Sequence, residues 1–300
     1  MDIPTKISEA RRDPRAFFAV NEMRTIAVAC HPDRWPDKQD WAKSTFAEFQ
    51  SLHELSLAPA ESIGKYEIIS TIATGDLRKV CRCREGLIKC PVVAKKSANQ
   101  LIAKEAELCR QLAEDHKGET FENYFPVVLD SFVDEKRRYN VLSEKIGYSL
   151  AEIIAKHATL DDRHIGWMMK RVLVALAASH DSGYSHNAVV PEHLIFGIDD
   201  HSLVLTGWIH AEKHGEKIKV VPSKWKSWYQ RKDGSPACDI AMASRCMLEA
   251  VGDDCHKNIR AFLKGCLLPV HDAFALHEEF DTLLHRTFGA PRFHVLEMEI

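Results

Sequence analysis

The stretch SHNAVVPEHLIF, residues 185–196, lies about two-thirds of the way along a chain of 300 residues. It follows a long run with helical spacing of apolar residues, LDDRHIGWMMKRVLVALAASHDSGY, and it ends in three apolar residues. Ala188, near its centre, supplies no proton acceptor, and Val190 supplies no charge. The centre of the stretch, residues 188–191, is therefore apolar, between Asn187 and Glu192.

The composition of the chain predicts an ordinary globular protein. Apolar residues make up 45% of it and no repetitive tract occurs, which suffices for one large or two smaller domains. The N-terminal residues form no signal-peptide stretch, and the apolar run 172–178 is too short to span a bilayer. We therefore expect a soluble, cytoplasmic protein with no membrane partner. The nine cysteines show no disulfide spacing, so we expect reduced thiols.

The order of the predicted elements indicates the fold class. From Tyr66 onward three runs have the texture of strands, YEIISTIATG, KVCRCR and IKCPVVAKK. Residues 99–112 form an amphipathic helical pattern, and residues 126–132 and 138–142 are strand-like. Most of the remainder is helical. A strand-rich half followed by a helix-rich half predicts an α+β fold.

Several motifs fall in the order and spacing of the protein-kinase fold, which the chain resembles from about Gly64 onward. The segment IATGDLRKV resembles the glycine-rich loop but keeps only Gly75. VVAKK resembles the strand that ends at the phosphate-binding lysine, which predicts Lys96 for this role, and Glu105 stands where its helical glutamate partner is expected. The resemblance implies that an adenine ring would lie among the apolar side chains of Val80, Ala94 and Ile195.

The same resemblance shows which catalytic groups are replaced. Against the kinase pattern H-R-D-x-K-x-x-N, Ala188 takes the place of the catalytic aspartate and His193 that of the metal-binding asparagine. VLTGWIHA resembles the strand and turn that bear D-F-G, with Gly207 in place of the aspartate. Asp239 matches the buried aspartate that braces the loop. The resemblance thus implies a pseudokinase, with no catalytic residue, no metal, no required cofactor and at most weak ATP binding.

The N-terminal segment carries a second resemblance. Residues 13–55 are predicted to form two helical pieces separated by the turn HPDRWPDK. The pieces DPRAFFAV and VACHPDR resemble the entry and the His-Pro-Asp turn of a J-domain. The resemblance implies that His31, Pro32 and Asp33 contact a DnaK-type chaperone and stimulate its ATPase. Arg24, on the preceding helix, would add long-range electrostatic attraction.

These two resemblances together predict the domain organisation. Residues 1–57 would form a helical J-domain-like module and residues 58–64 a linker. Residues 65–300 would form the kinase-like domain, with a β-rich N-lobe at 65–143, a hinge at 144–148 and an α-rich C-lobe at 149–300.

Two features allow a metal site as an alternative. Cys81, Cys83 and Cys90 could begin a zinc site, but a fourth ligand is missing from the pattern. His193 could bind a soft metal, yet a single histidine beside a helix is more commonly a hydrogen-bonded structural residue. The sequence therefore favours no metal at either place.

The segment 213–232 is strongly basic, with seven Lys or Arg residues and one acid. Because Trp225, Trp228 and Tyr229 are interleaved with its cations, it could bind nucleic acid. The sequence favours the other interpretation, a solvated loop whose aromatic residues anchor it to the core.

The function predicted from the sequence is that of a non-catalytic adaptor. A degenerate DnaJ-type module would recruit a DnaK-type chaperone, and the pseudokinase would bind a nucleotide or a protein client that the sequence does not name. Two alternatives remain: an atypical phosphotransferase that retains Lys96 and Glu105, and a nucleic-acid-associated protein that uses the basic segment.

Overall fold

A computed structural model describes residues 2–58, 61–75, 77–229, 234–269 and 272–298. Helices account for 53% of the described residues and strands for 18%, so the predicted mixed α+β class is confirmed. The chain divides into two compact units, Met1–Lys89 and Cys90–Met298. In the described part of the chain, no helix is long and apolar enough to cross a membrane.

The first unit begins with a small helical cluster. Its helices are α1 (Ile3–Arg12), α2 (Pro14–Val20), α3 (Met23–Ala29) and α4 (Gln39–Leu57), and two 3-10 turns, Pro32–Arg34 and Pro36–Lys38, lie between α3 and α4. A shared apolar core holds them together: Ile3, Ile7, Ala10, Phe17, Ile26, Cys30 and Phe49. The turn predicted between two helical pieces is confirmed.

The first predicted helical piece is wrong in detail, because the structure breaks it into α2 and α3. The Asn21 side-chain amide donates to the Phe17 carbonyl (2.9 Å) at the end of α2, and Asn21 and Glu22 adopt extended backbone conformations before α3 begins. Helix α3 is therefore only 7 residues long. Helix α1, which buries Ile3 and Ile7, precedes the predicted pair.

Three strands lie within the first unit, β1 (Glu61–Ile63), β2 (Tyr66–Thr74) and β3 (Arg78–Cys83), and a fourth, β4 (Gly86–Pro91), begins in it and ends two residues into the second unit. They are neighbours in this order, and the β1–β2 and β2–β3 pairs are antiparallel. The strand predicted to continue to Lys96 is wrong, since β4 ends at Pro91 and Lys96 is already helical. Proline lacks the backbone N–H that a further ladder bond would need.

The helical cluster is bonded directly to the strands of its own unit. The Arg15 guanidinium donates to Glu67 at the start of β2 (2.9 Å) and to the Ala58 carbonyl (2.8 Å). From β3, Arg82 donates to the backbone carbonyl of Arg11 (3.1 Å). The two parts of this unit are thus joined by side chains as well as by the chain itself. Residues 59 and 60 of the predicted linker lie outside the described residues.

The second unit begins with α5 (Lys96–Asp115), which is followed by a hairpin of β5 (Val128–Asp134) and β6 (Arg137–Leu142). The sequence predicted this helix and both strands. Glu135 and Lys136 make the two-residue hairpin turn with positive φ angles of 44° and 67°. Further along lie β7 (Tyr148–Ser149), α6 (Leu150–His157), α7 (Asp162–Asp181) and β8 (Tyr184–Ser185).

The remaining elements of this unit are β9 (Leu194–Gly197), β10 (Ser202–Leu205), β11 (Glu212–Lys213), α8 (Pro236–Ala250), α9 (Lys257–Gly265) and α10 (Ala273–Phe288). Helix α7 is central, because it buries apolar residues at helical spacing over most of its surface. It packs against both α8 and α10. Two small sheets, β10-β9-β7 and β11-β8, contact α7 and hold the loop described next.

Candidate functional site

The loop of residues 186–193 is fixed at both ends by short antiparallel strands. On its N-terminal side β8 pairs with β11, and on its C-terminal side β9 pairs with β10 and β7. Its centre is withdrawn from solvent, since Ala188 and Val189 are fully buried and Val190 is 1% exposed. The loop is therefore part of the core of its unit.

Asp239, at the start of α8, braces the first half of this loop. Its two carboxylate oxygens accept the backbone N–H groups of His186 and Asn187, both at 2.7 Å. His180 Nε2 lies 3.1 Å from the same carboxylate, which is completely buried. Asn187 has a φ of +60°, a strained conformation for a non-glycine residue. Charge-assisted bonds to consecutive N–H groups hold the backbone in this shape.

The ring of His186 is committed to structural bonds. Nε2 donates to the Thr206 carbonyl (2.9 Å), and Nδ1 accepts the backbone N–H of Ala188 (3.2 Å). This pattern requires the neutral tautomer that carries its proton on Nε2. The ring also packs edge-on against Trp208, with centroids 4.6 Å apart. His186 thus connects the loop to the segment that carries Gly207.

His193 and Gly207, the two positions at which the sequence predicts that metal ligands are replaced, are in close contact. His193 Nδ1 donates to the Ala188 carbonyl (2.8 Å), which fixes the plane of the ring. Gly207 has a φ of +91°, and a Cβ added there would lie 2.6 Å from ring atoms of His193. The imidazole therefore occupies the space that a side chain at position 207 would need. The two replacements depend on each other sterically.

The basic segment packs against the outer side of the loop. Glu192 accepts Lys224 Nζ (2.7 Å) and Trp225 Nε1 (2.9 Å) through its two carboxylate oxygens. The Tyr229 hydroxyl donates to the Asn187 carbonyl, and burial raises the pKa of this phenol. Trp225 is buried, and Trp228 and Tyr229 pack against the core of the second unit. Residues 230–232 of the segment lie outside the described residues.

A buried ion pair connects the beginning of this segment to α5. Glu212, on β11, is 2% exposed and contacts Lys104 of α5 and Lys219, the latter at 3.0 Å. Lys104 also donates to the Ala211 carbonyl. A carboxylate this deeply buried is stable only when it is paired, so this contact fixes β11 against α5.

The residues predicted for nucleotide binding are distributed over both units. In the first unit, Gly75 donates its N–H to the Arg78 carbonyl (2.9 Å), and Val80 is half-buried on β3; Asp76, inside the same loop, is outside the described residues. In the second unit, Ala94 is exposed in an irregular segment, and Ile195 is half-buried on β9.

The lysine and the glutamate of the predicted pair have different surroundings. Lys96 is exposed on the first turn of α5, whereas Glu105, on the same helix, is fully buried. Lys89, on β4, is 4% exposed, and the sequence analysis did not single it out. The signal that could have identified it is Pro91, which marks the end of this strand two residues later.

The His-Pro-Asp turn is a compact surface feature of the first unit. His31 Nδ1 accepts the backbone N–H of Asp33 (3.3 Å), and the His31 ring packs edge-on against Phe46 of α4 at 5.9 Å. The side chains of His31 and Asp33 are 50% and 88% exposed. Pro32 is the first residue of the 3-10 turn, and Arg24 is exposed on α3. All four predicted contact residues thus lie on or close to the surface.

The cysteines give no sign of a metal centre. All nine are free thiols, and Cys81 and Cys83 are buried on β3. Cys83 donates to the Gly86 carbonyl (3.2 Å), and burial raises the pKa of its thiol. Within the described ranges, no three His, Cys, Asp or Glu residues are grouped so that they could hold a metal ion.

No family model and no curated protein matches the sequence. Among solved structures, the chain is similar to the crystal structure of a kinase domain, with a TM-score of 0.50 and 14% sequence identity. The similarity covers 64% of this chain and 67% of that one. At this level of identity it bears on the fold alone. The chain has a kinase-like fold.

Proposed function

We propose that this protein is a non-catalytic adaptor, in which a J-domain-like module recruits a DnaK-type chaperone to a pseudokinase. The observation that carries the loss of catalysis is the contact between His193 and Gly207. A metal-binding carboxylate at position 207 would have no room beside this imidazole. Ala188, at the position of the catalytic base, presents only a buried methyl group.

The two acidic groups that touch the loop are already engaged. Asp239 accepts two backbone N–H groups, and Glu192 accepts Lys224 and Trp225. If the Asp239 carboxylate turned toward a substrate hydroxyl, it would leave buried N–H donors unsatisfied, at a cost of roughly 1–3 kcal/mol for each. The Glu192 and Lys224 side chains are 40% and 67% exposed, so their ion pair is weak, but together with the bond from Trp225 it directs this carboxylate toward the basic segment. Their engagement supports a structural role for the loop.

Chaperone recruitment is supported by the surface exposure of the His-Pro-Asp turn. His31 and Asp33 present their side chains to solvent beside the long helix α4, as a docking turn requires. The short helix α3 contributes Arg24 to the adjoining surface. We expect contact through His31 and Asp33, with Arg24 affecting mainly the rate of association.

Nucleotide binding is a second property that we propose, and Lys89 is the residue that favours it. In kinases the phosphate-binding lysine is on the third strand of the sheet. Lys89 is on the third strand of the β2, β3, β4 series, whereas Lys96 is on a helix. We therefore assign to Lys89 the role that the sequence suggested for Lys96. Without metal ligands, we expect ATP binding to be weak and independent of magnesium.

The chain supplies its own control for the chaperone test, because a second Pro-Asp turn follows the first. Asp33 is in the turn Pro32–Arg34, and Asp37 is at the same position of Pro36–Lys38. The measurement is single-turnover ATP hydrolysis by a DnaK-type chaperone from the same organism, with the full chain added. We expect stimulation by the wild type and by Asp37→Asn, and its loss in Asp33→Asn and His31→Gln.

Circular dichroism would confirm that each variant is folded, since substitutions at exposed turns usually change stability by less than about 0.5 kcal/mol. If the chaperone hydrolysed ATP at the same rate with and without the wild-type protein, the proposal that this protein recruits a chaperone would be wrong. Turnover of ATP by the chain itself would remove the non-catalytic part.

A further inference from the structure

The C-terminal segment, residues 289–298, is held to the second unit by stacked rings. It has no regular secondary structure after α10. His201, in the turn between β9 and β10, lies between Trp167 of α7 and Phe293 of this segment, with ring centroids 4.2 and 4.0 Å apart. His201 Nε2 also donates to the His294 carbonyl (3.0 Å). One imidazole thus makes two of the contacts that hold the segment in place.

A second histidine lies on the same face of α7. His164 Nδ1 accepts the indole N–H of Trp167 (3.3 Å), and the His164 ring is 6.5 Å from that of His294. Leu296, two residues further on, is 5% exposed and belongs to the apolar core. The segment is therefore anchored by apolar side chains, among them Phe293, Leu296 and Met298, and by histidine rings that can gain a proton.

Several charges act on His164. Burial lowers the pKa of His164; Asp161 raises it, and His294, His201 and His157 lower it. The bond from Trp167 needs a lone pair on Nδ1, which protonation at that atom would remove. Both effects favour the neutral ring while the segment is docked.

The surroundings of His201 also favour its neutral form. Burial lowers the pKa of His201; the His294 carbonyl and Asp200 raise it, and Arg171 and His294 lower it. Arg171 is fixed close by, because its Nε donates to the His201 carbonyl (2.8 Å). The positive charge that His201 gains on protonation would therefore be repelled by a guanidinium whose position is fixed.

The carboxylate beside His201 is already paired. Burial opposes ionisation of Asp200, but hydrogen bonds from Ser202 and Lys145 outweigh it and lower its pKa to about 2. Lys145 Nζ lies 2.9 Å from this carboxylate. Asp200 is thus ionised throughout the range in which histidines titrate, and Lys145 offsets part of its attraction for a charged imidazole.

The lowered pKa values of His164 and His201 determine how pH affects the docking of residues 289–298. When the segment detaches, both imidazoles lose the part of their burial that the segment provides, so we expect their pKa values to rise toward the ordinary value of about 6.5. The docked form therefore binds fewer protons than the detached form. Docking is most stable above about pH 6.5 and becomes less stable as the pH falls below that value. We propose that residues 289–298 form a proton-sensitive strap that is docked on α7 near neutral pH and is released on acidification.

Hydrogen exchange of the full chain tests this proposal, with rates corrected for the intrinsic effect of pH. Between pH 7.5 and 5.5, we expect protection of the strap amides to fall by about tenfold in the wild type, while α7 stays protected. His201→Phe keeps an aromatic ring in the stack but cannot gain a proton. In this variant the pH dependence should largely disappear.

Two further variants complete the design. His164→Gln should reduce the pH dependence, and it is the substitute if His201→Phe does not fold. His285→Gln removes an exposed histidine of α10 that contacts neither the stack nor His164, so it should behave like the wild type. Equal protection of the strap at both pH values, parallel loss of protection in α7, or an unchanged pH response in His201→Phe would each overturn the proposal.

Discussion

At the scale of single residues, Gly207 allows a direct test of the site. Gly207→Ala should lower the free energy of unfolding by about 2–4 kcal/mol, because the new methyl group meets the His193 ring and φ is positive. Gly118 has a φ of +77° with nothing within 4 Å, so Gly118→Ala isolates the backbone effect and should cost about 1 kcal/mol. Urea denaturation measures both.

The His193→Ala background separates the two causes. There the contact is gone, and Gly207→Ala should cost no more than Gly118→Ala does in the wild type. If Gly207→Ala remained as costly without the imidazole, the steric account of this site would be wrong.

The sequence could predict which residues occupy the motif positions at this site, but not how their side chains pack. Ala188, His193 and Gly207 can be read from the spacing of one motif. The contact of His193 with Gly207 depends on the pairing of β9 with β10 and on one ring orientation, which local patterns do not specify. Lys96 was predicted to end a strand because the apolar run continues past Pro91, where β4 in fact ends.

At the scale of elements, the junction between the helical cluster and the strands of the first unit is held by Arg15 and Glu67. Their side chains are only 23% and 34% exposed, so we expect a coupling energy of about 0.5–1 kcal/mol in a double-mutant cycle of Arg15→Ala and Glu67→Gln. Lys6 and Glu9, an ion pair within α1, provide the comparison. Their pair should couple less strongly, since its neighbours are one turn apart on a surface helix.

The cycle is measured by urea denaturation at low and at high salt. A coupling no larger than that of Lys6 with Glu9 would mean that the junction depends on apolar contacts and backbone bonds instead.

Elements with clear periodicity, such as α5, β5 and β6, were predictable from the sequence. The break between α2 and α3 was not, because the residues around Asn21 continue the helical pattern until a capping bond ends it.

At the scale of the whole molecule, ATP should produce a small stabilisation that magnesium does not increase. The measurement is the shift in melting temperature with ATP, with and without magnesium. Lys89→Ala should remove the ATP-dependent increment, whereas Lys96→Ala, at an exposed helix start, should leave it unchanged. Each variant is judged by its ATP-dependent change in melting temperature and not by the melting temperature itself. The reason is that loss of a buried lysine can change stability even without ATP.

A large shift that requires magnesium would contradict this prediction and favour a phosphotransferase. Loss of the increment in Lys96→Ala alone would return the phosphate-binding role to that residue.

The packing of His193 over Gly207 also restricts the mutational paths open to this protein. An aspartate at position 207 would bring its Cβ within 2.6 Å of the imidazole, at a φ that side chains rarely adopt, and would first produce a strained, overpacked protein. A smaller residue at position 193 would relieve the contact, so we expect the two positions to change together.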